Sequence, residues 1–208
     1  MDKHLFAAVA VATAVTPAFA QVTTGLSDEA TFAAANPGAL LEDFQDETIG
    51  SLDQTVPTVF NGFSTLPNGT STFLSDYEID DEVPGSTNLE LDLFIDSDPT
   101  FITEFFFTFD DPVSAFALRI DDITLSQSTF LNVAGQSFEL QTLLPGTDDE
   151  DFFTFSSPTP ITSFSFTVGG ANGFDGISVD NVYSVVVPEP TSVAMLGLAA
   201  TGLLRRRR

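Results

Sequence analysis

The sequence predicts an all-β fold, an antiparallel β-sandwich carrying one short N-terminal helix. Three observations lead there. Apolar residues recur at period two, turn-forming Gly, Pro and Asn pairs interrupt those runs at short spacing, and no long helical period follows residue 40.

The helix comes first. Ser27 can cap it, Asp28 and Glu29 favour the positive end of its dipole, Ala30 to Ala35 propagate it, and Asn36-Pro37-Gly38 stops it. It reads as a surface element, not part of a core. Strands follow. Leu41-Glu42-Asp43-Phe44 opens the first of them. Leu89, Leu91 and Leu93 alternate with Asn88, Glu90 and Asp92, and Phe116, Leu118 and Ile120 alternate with Ala115, Ala117 and Arg119. Phe138 and Leu140 alternate with Glu139 and Gln141, and Phe164, Phe166 and Val168 with Ser163, Ser165 and Thr167. Each such ladder puts one face in a core and one in water. Thr103 to Phe109 reads as apolar on both faces and central. Gly176 to Val182 forms the last strand, and its alternation slips between Val179 and Val182, the mark of a bulge at Asp180-Asn181.

Turn signals stand at Asn61-Gly62, Pro67-Asn68-Gly69, Pro84-Gly85, Asp98-Pro99, Asp111-Pro112, Pro145-Gly146, Pro158-Thr159-Pro160 and Gly169-Gly170. About ten strands at that spacing, without an internal repeat, favour a sandwich over a parallel solenoid. Its core is built from phenylalanine. The chain has 22 Phe, two Tyr (Tyr77 and Tyr183) and no Trp, and Phe is an apolar filler with no polar atom to satisfy.

Charge divides the chain into three parts. The basic residues are Lys3, Arg119 and Arg205 to Arg208, and the one histidine is His4. All but two of the 30 acidic residues lie in 21–187, which leaves 28 acids against Arg119 and a net charge of about −27 for that body. Such a surface repels nucleic acid and anionic lipid and attracts divalent cations.

Residues 1–20 read as a secretory signal peptide. Lys3 and His4 precede the apolar stretch Leu5 to Val15, Pro17 breaks it, and Ala18-Phe19-Ala20 is a small-x-small site for signal peptidase. At the other end, residues 188–208 carry Pro188-Glu189-Pro190, the apolar stretch Thr191 to Leu204, and the cluster Arg205, Arg206, Arg207 and Arg208. A helix over 191–204 would span only about 21 Å of a hydrocarbon core of about 30 Å. The arginines would stop its passage on the cytoplasmic side. The stretch therefore suits transient residence in the inner membrane better than a permanent anchor.

This tail resembles the PEP-CTERM sorting signal of Gram-negative bacteria in all three parts and their order. The resemblance implies recognition by an exosortase, a membrane cysteine protease or transpeptidase, with cleavage near Pro188-Glu189-Pro190. It also implies export across the inner membrane to the envelope, surface or matrix of a cell that makes exopolysaccharide and biofilm.

The body, residues 21–187, has no His, Cys or Lys. Ser-His-Asp and Cys-His triads, lysine Schiff bases and histidine-bound zinc are all excluded. No phosphate-binding glycine loop occurs. Two-carboxylate glycoside hydrolysis is the enzymatic route left open, and it lacks the Trp or Tyr platforms that sugar clefts present. Calcium is the cofactor an oxygen-only inventory suits. Loose acidic clusters occur at Asp80-Asp81-Glu82, Asp96-Ser97-Asp98 and Asp148-Asp149-Glu150-Asp151, none of them an EF-hand. The first and last strands together look similar to jelly-roll sandwiches related to carbohydrate-binding modules. That resemblance implies a structural calcium shared by Glu42, Asp43 and Asp180.

The expectation is thus a non-catalytic exported surface or matrix protein, in contact with exopolysaccharide through divalent cations. A calcium-stabilised carbohydrate-binding module is the alternative, with Tyr77 as either a ligand platform or a packed strand residue.

Overall fold

The computed structural model describes residues 21–68, 77–83, 86–94, 102–123, 128–144, 151–169 and 174–188. The expected signal peptide and most of the sorting tail lie outside these residues, as do Asp96, Asp98 and Asp148 to Glu150. Among the described residues, no helix is long and apolar enough to cross a membrane.

The described residues fold as an all-β sandwich of twelve strands. In order they are β1 (Thr23–Leu26), β2 (Leu40–Glu42), β3 (Gly50–Ser51), β4 (Thr58–Phe60), β5 (Phe63–Pro67), β6 (Tyr77–Val83), β7 (Ser86–Phe94), β8 (Glu104–Asp121), β9 (Ser128–Val133), β10 (Gln136–Glu139), β11 (Asp151–Gly169) and β12 (Phe174–Val186). A helix α1 (Glu29–Ala35) follows β1. Every strand pairing is antiparallel.

Two long strands build both sheets. β8 and β11 pair with each other twice, through Asp151↔Ile120 to Ser156↔Ala115 and again through Ser163↔Thr108 to Thr167↔Glu104. Between these stretches the register shifts around Pro112 and Pro158-Thr159-Pro160. Proline has no N–H to give a ladder, so an unpaired bend is where a long strand tolerates it. Asp111-Pro112 and Pro158-Thr159-Pro160 are therefore bends inside strands, and the expectation of chain-reversing turns there is corrected. Strands that bend this way pass from one packed sheet to the other.

The first sheet runs β4, β5, the early half of β8, the late half of β11, β9, β10. The second runs β1, the early half of β11, the late half of β8, β12, β7, β6, β3, with β2 added beside the end of β12.

Stacked phenylalanines join the sheets. Phe155 lies on Phe116 at 4.9 Å, Phe116 on Phe164 at 4.6 Å, Phe164 on Phe107 at 4.5 Å and Phe107 on Phe63 at 5.7 Å. Each such pair contributes about 0.5–1.5 kcal/mol beyond the burial of its area. Tyr77 is a packed strand residue with no exposed surface, and its hydroxyl meets Thr65 Oγ1 at 3.0 Å across the core.

Four further sequence expectations change. Asp28, not Ser27, caps α1: its carboxylate accepts from Thr31 N at 3.1 Å, while Ser27 Oγ donates to the Asp28 carbonyl. The first strand is β1, and the strand near residue 41 ends at Glu42 because Phe44 takes φ 53°. Thr103 to Phe109 is central but one-sided, with Phe105, Phe107 and Phe109 buried and Phe106 and Thr108 exposed. Leu140 leaves the ladder that Phe138 occupies, because β10 ends at Glu139 and Leu140–Thr142 form a 3-10 turn. The bulge at Asp180-Asn181 is present, with a register shift there and Asn181 at φ 47°.

Helix α1 buries none of its residues yet covers the outer face of the second sheet. Phe32 makes edge contacts with Phe152 at 5.9 Å and Tyr183 at 5.8 Å. The Tyr183 hydroxyl donates to Glu29 Oε1 at 3.0 Å, which ties the helix to β12.

Candidate functional site

The acidic centre of the molecule is built on the turn that follows β2. The positive φ of Phe44 swings its ring into the core, where it meets Phe60 at 5.2 Å. With that anchor fixed, the Glu42 side chain folds back over the turn. Its Oε1 accepts from Phe44 N at 2.7 Å and its Oε2 from Asn61 N at 2.8 Å, in the loop between β4 and β5. Glu42 is only 5% exposed, and the two amides satisfy its buried charge. The chain then returns through Glu47, whose N–H donates to the Phe44 carbonyl at 3.1 Å.

This brings Glu42, Asp46 and Glu47 together, with carboxylate oxygens within 4.8 Å of one another. Burial raises the Glu47 carboxyl above its ordinary range, and the charges of Glu42 and then Asp46 push it further. The three line an open cleft of about 440 Å³ with Asp43, Leu41 and Asn61. Three carboxylates and no nitrogen or sulfur donor form a hard-cation set that suits calcium.

The three sequence-predicted ligands are divided. Glu42 belongs to this cluster. Asp43 points its Oδ1 at Gln45 N, 3.3 Å away. Asp180 stands opposite Arg119 in the β12–β8 register and accepts from Asn181 N at 2.7 Å. Asp43 and Asp180 instead share the surroundings of Tyr183. Burial first, then the Glu29 hydrogen bond and the charges of Glu29, Asp43 and Asp180, push that phenol up to about 12. Asp46 and Glu47 were missed in the sequence. Their signal was four acids in six residues from Glu42 to Glu47, hidden by reading that stretch as strand.

Acids also crowd the outer face of the second sheet. Glu78 lies directly opposite Glu90, and Ser178, next in that row, donates to Glu90 Oε2 at 2.6 Å and faces Asp121. Like charges directly opposite destabilise a strand pair, and salt screens that repulsion. Asn88 is buried nearby, and its Oδ1 has no donor among the described residues.

At the other end, Val187 N donates to the Pro112 carbonyl at 2.8 Å and Pro188 is exposed. The hydrogen bonding of the sandwich therefore reaches Val187, next to the Pro188-Glu189-Pro190 motif. Glu189, Pro190 and Arg205 to Arg208 lie outside the described residues, as do Ala18 and Ala20.

Comparison with known proteins adds three findings. No curated protein matches the chain. Among solved structures, the K2 cleaved adhesin domain of Lys-gingipain (Kgp) aligns with 73% of this chain and 99% of its own, at 10% identity and a TM-score of 0.39. That similarity carries no functional argument. Residues 186–208 match the model of the PEP-CTERM protein-sorting motif. The chain thus bears a PEP-CTERM sorting motif beginning in the last residue of β12, and is an exported, exosortase-processed protein of the cell envelope or surface.

Proposed function

We propose that the body is a non-catalytic surface or matrix module of a Gram-negative, biofilm-forming cell, and that it associates with anionic exopolysaccharide through divalent cations. The observation that carries this reading is the Glu42–Asp46–Glu47 cluster, placed on a body with one cation in 21–187. Calcium at these carboxylates would fix the β2 turn against the β4–β5 loop and leave coordination positions for an outside oxygen. The cleft also brings carboxylates close together, as a two-carboxylate hydrolase would need. A non-catalytic role is favoured because both oxygens of Glu42 are held by backbone amides, which ties that carboxylate to the fold.

In this reading, signal peptidase cuts after Ala20 and exosortase acts near Pro188-Glu189-Pro190 while 191–204 rests in the inner membrane. The test is thermal unfolding with added calcium and with EGTA, alongside sedimentation with the anionic polysaccharide alginate. Calcium is expected to raise the melting temperature and to drive co-sedimentation, and Glu47→Gln to weaken both. An unchanged melt and no co-sedimentation would overturn the proposal.

A further inference from the structure

We propose that the outer face of the first sheet binds a neutral polysaccharide strand, in a groove of about 400 Å³ between Phe106 and the β9–β10 turn. The strand registers place Leu66, Phe106, Ser165, Asn132 and Ser137 opposite one another on β5, β8, β11, β9 and β10. Directly opposed residues share a face, so these five form one straight row. From Phe106 to Ser137 the row crosses three strand gaps of about 4.8 Å, roughly 14 Å, close to the length of three sugar residues at about 5 Å each.

The row has the chemistry a sugar chain needs. Phe106 is 41% exposed, whereas Phe105 and Phe107 beside it are wholly buried. Its ring offers an apolar plate to the C–H face of a pyranose. Beside it lie the amides of Asn132 and Gln136 and the hydroxyls of Ser137 and Ser163, which suit sugar hydroxyls. The groove floor is Ser165, 5% exposed, whose hydroxyl donates to Glu104 Oε1 at 2.7 Å.

The row is also rigid. The far wall is a two-residue turn with Ala134 at φ 49° and Gly135 at φ 76°, the geometry of a type I′ hairpin. Asn132 Nδ2 is pinned by Thr167 Oγ1 at 3.0 Å. Side chains held before binding lose little freedom on binding.

Charge selects the ligand. None of the residues lining the groove is charged, on a body of net charge about −27. A cationic polymer would go to the acidic face, and an anionic one, which the body would hold only through divalent cations at the carboxylate cluster, would be repelled from this cation-free groove, which leaves a neutral chain. An extended peptide would seek an open strand edge, but β8, β11 and β9 are paired on both sides here.

This groove is distinct from the carboxylate cluster, and its test runs in EDTA so that cation bridging cannot contribute. The full-length chain, in a sugar-free detergent, is run through native gels containing hydroxyethylcellulose, laminarin or galactomannan. At least one polymer is expected to retard the wild type. Phe106→Ala should weaken that binding about tenfold with its melting temperature kept, Phe106→Trp should restore it, and Asn132→Ala should weaken it severalfold. Should Phe106→Ala fail to fold, Asn132→Ala decides on the same criterion. Retardation by none of the three polymers, or retardation that survives these substitutions in folded protein, would overturn the proposal.

Discussion

The two sheets share β8 and β11, yet their outer faces differ in kind. Before its proline bend, β8 shows Phe106 and Thr108 to solvent; after it, the same strand turns Arg119 and Asp121 outward. The second sheet carries Glu78 opposite Glu90 with Asp121 in the same row. On the first sheet the acids Glu104 and Glu139 each accept a hydroxyl, from Ser165 and Ser128, at the margins of a neutral groove. The lesson is that the charge of this chain is sorted by face. The outer row of the second sheet is acidic, the groove on the first is lined by uncharged residues, and the bends at Pro112 and Pro158-Thr159-Pro160 let one pair of strands carry both faces.

The most severe way to break this comparison is to remove the ring that joins the sheets. Phe116→Ala should cost about 3–5 kcal/mol, because it leaves Phe155 and Phe164 facing a cavity. Denaturant unfolding followed by far-UV and near-UV circular dichroism should still show a single coincident transition. Two separated transitions would mean that the sheets are independent units.

Next in size is the buried carboxylate. Glu42→Ala strips the acceptor from the Phe44 and Asn61 amides and should cost about 2 kcal/mol, while Glu42→Gln, which keeps one acceptor oxygen, should cost less. Chemical denaturation of the two variants side by side checks the order.

Glu47 tests the sign of the electrostatics. Its folded pKa lies above its unfolded value, so the folded state binds the proton more readily. The penalty for its charge is present above the folded pKa and absent below the unfolded one. In calcium-free buffer, Glu47→Gln should therefore be more stable than the wild type at neutral pH, and the gain should fade on acidification through the carboxylate range. A melting-temperature series against pH reads it.

The smallest effect belongs to the acidic row. Glu78→Gln removes one of two opposed charges and should stabilise by about 0.2–1 kcal/mol at low salt. In ~1 M NaCl, where the Debye length falls to about 3 Å, the difference should vanish.

Much of the scaffold was legible. Leu89, Leu91 and Leu93, then Phe116, Leu118 and Ile120, announce their buried faces by period two, and the slipped alternation after Val179 announces the bulge. What failed depended on long-range pairing. Pro158-Thr159-Pro160 gives the same local signal for a turn as for a bend, and only the partner strand decides between them. Ala134-Gly135 forms a tight hairpin without the Asn-Gly or Asp-Gly pair that marks most such turns. Three consecutive phenylalanines, Phe105 to Phe107, conceal that the middle one faces solvent. Glu42 was expected to share an ion with Asp43 and Asp180; the structure sets it beside Asp46 and Glu47, because the turn at Phe44 gathers those two from its own segment while the register places Asp180 opposite Arg119.

The central claim concerns where this acidic sandwich is sent, and intact-mass spectrometry of the protein purified from its native host tests it most directly. The account predicts a species that begins at Gln21 and has lost the apolar stretch and Arg205 to Arg208 beyond the Pro-Glu-Pro motif. A mature mass that still includes the four arginines would contradict it.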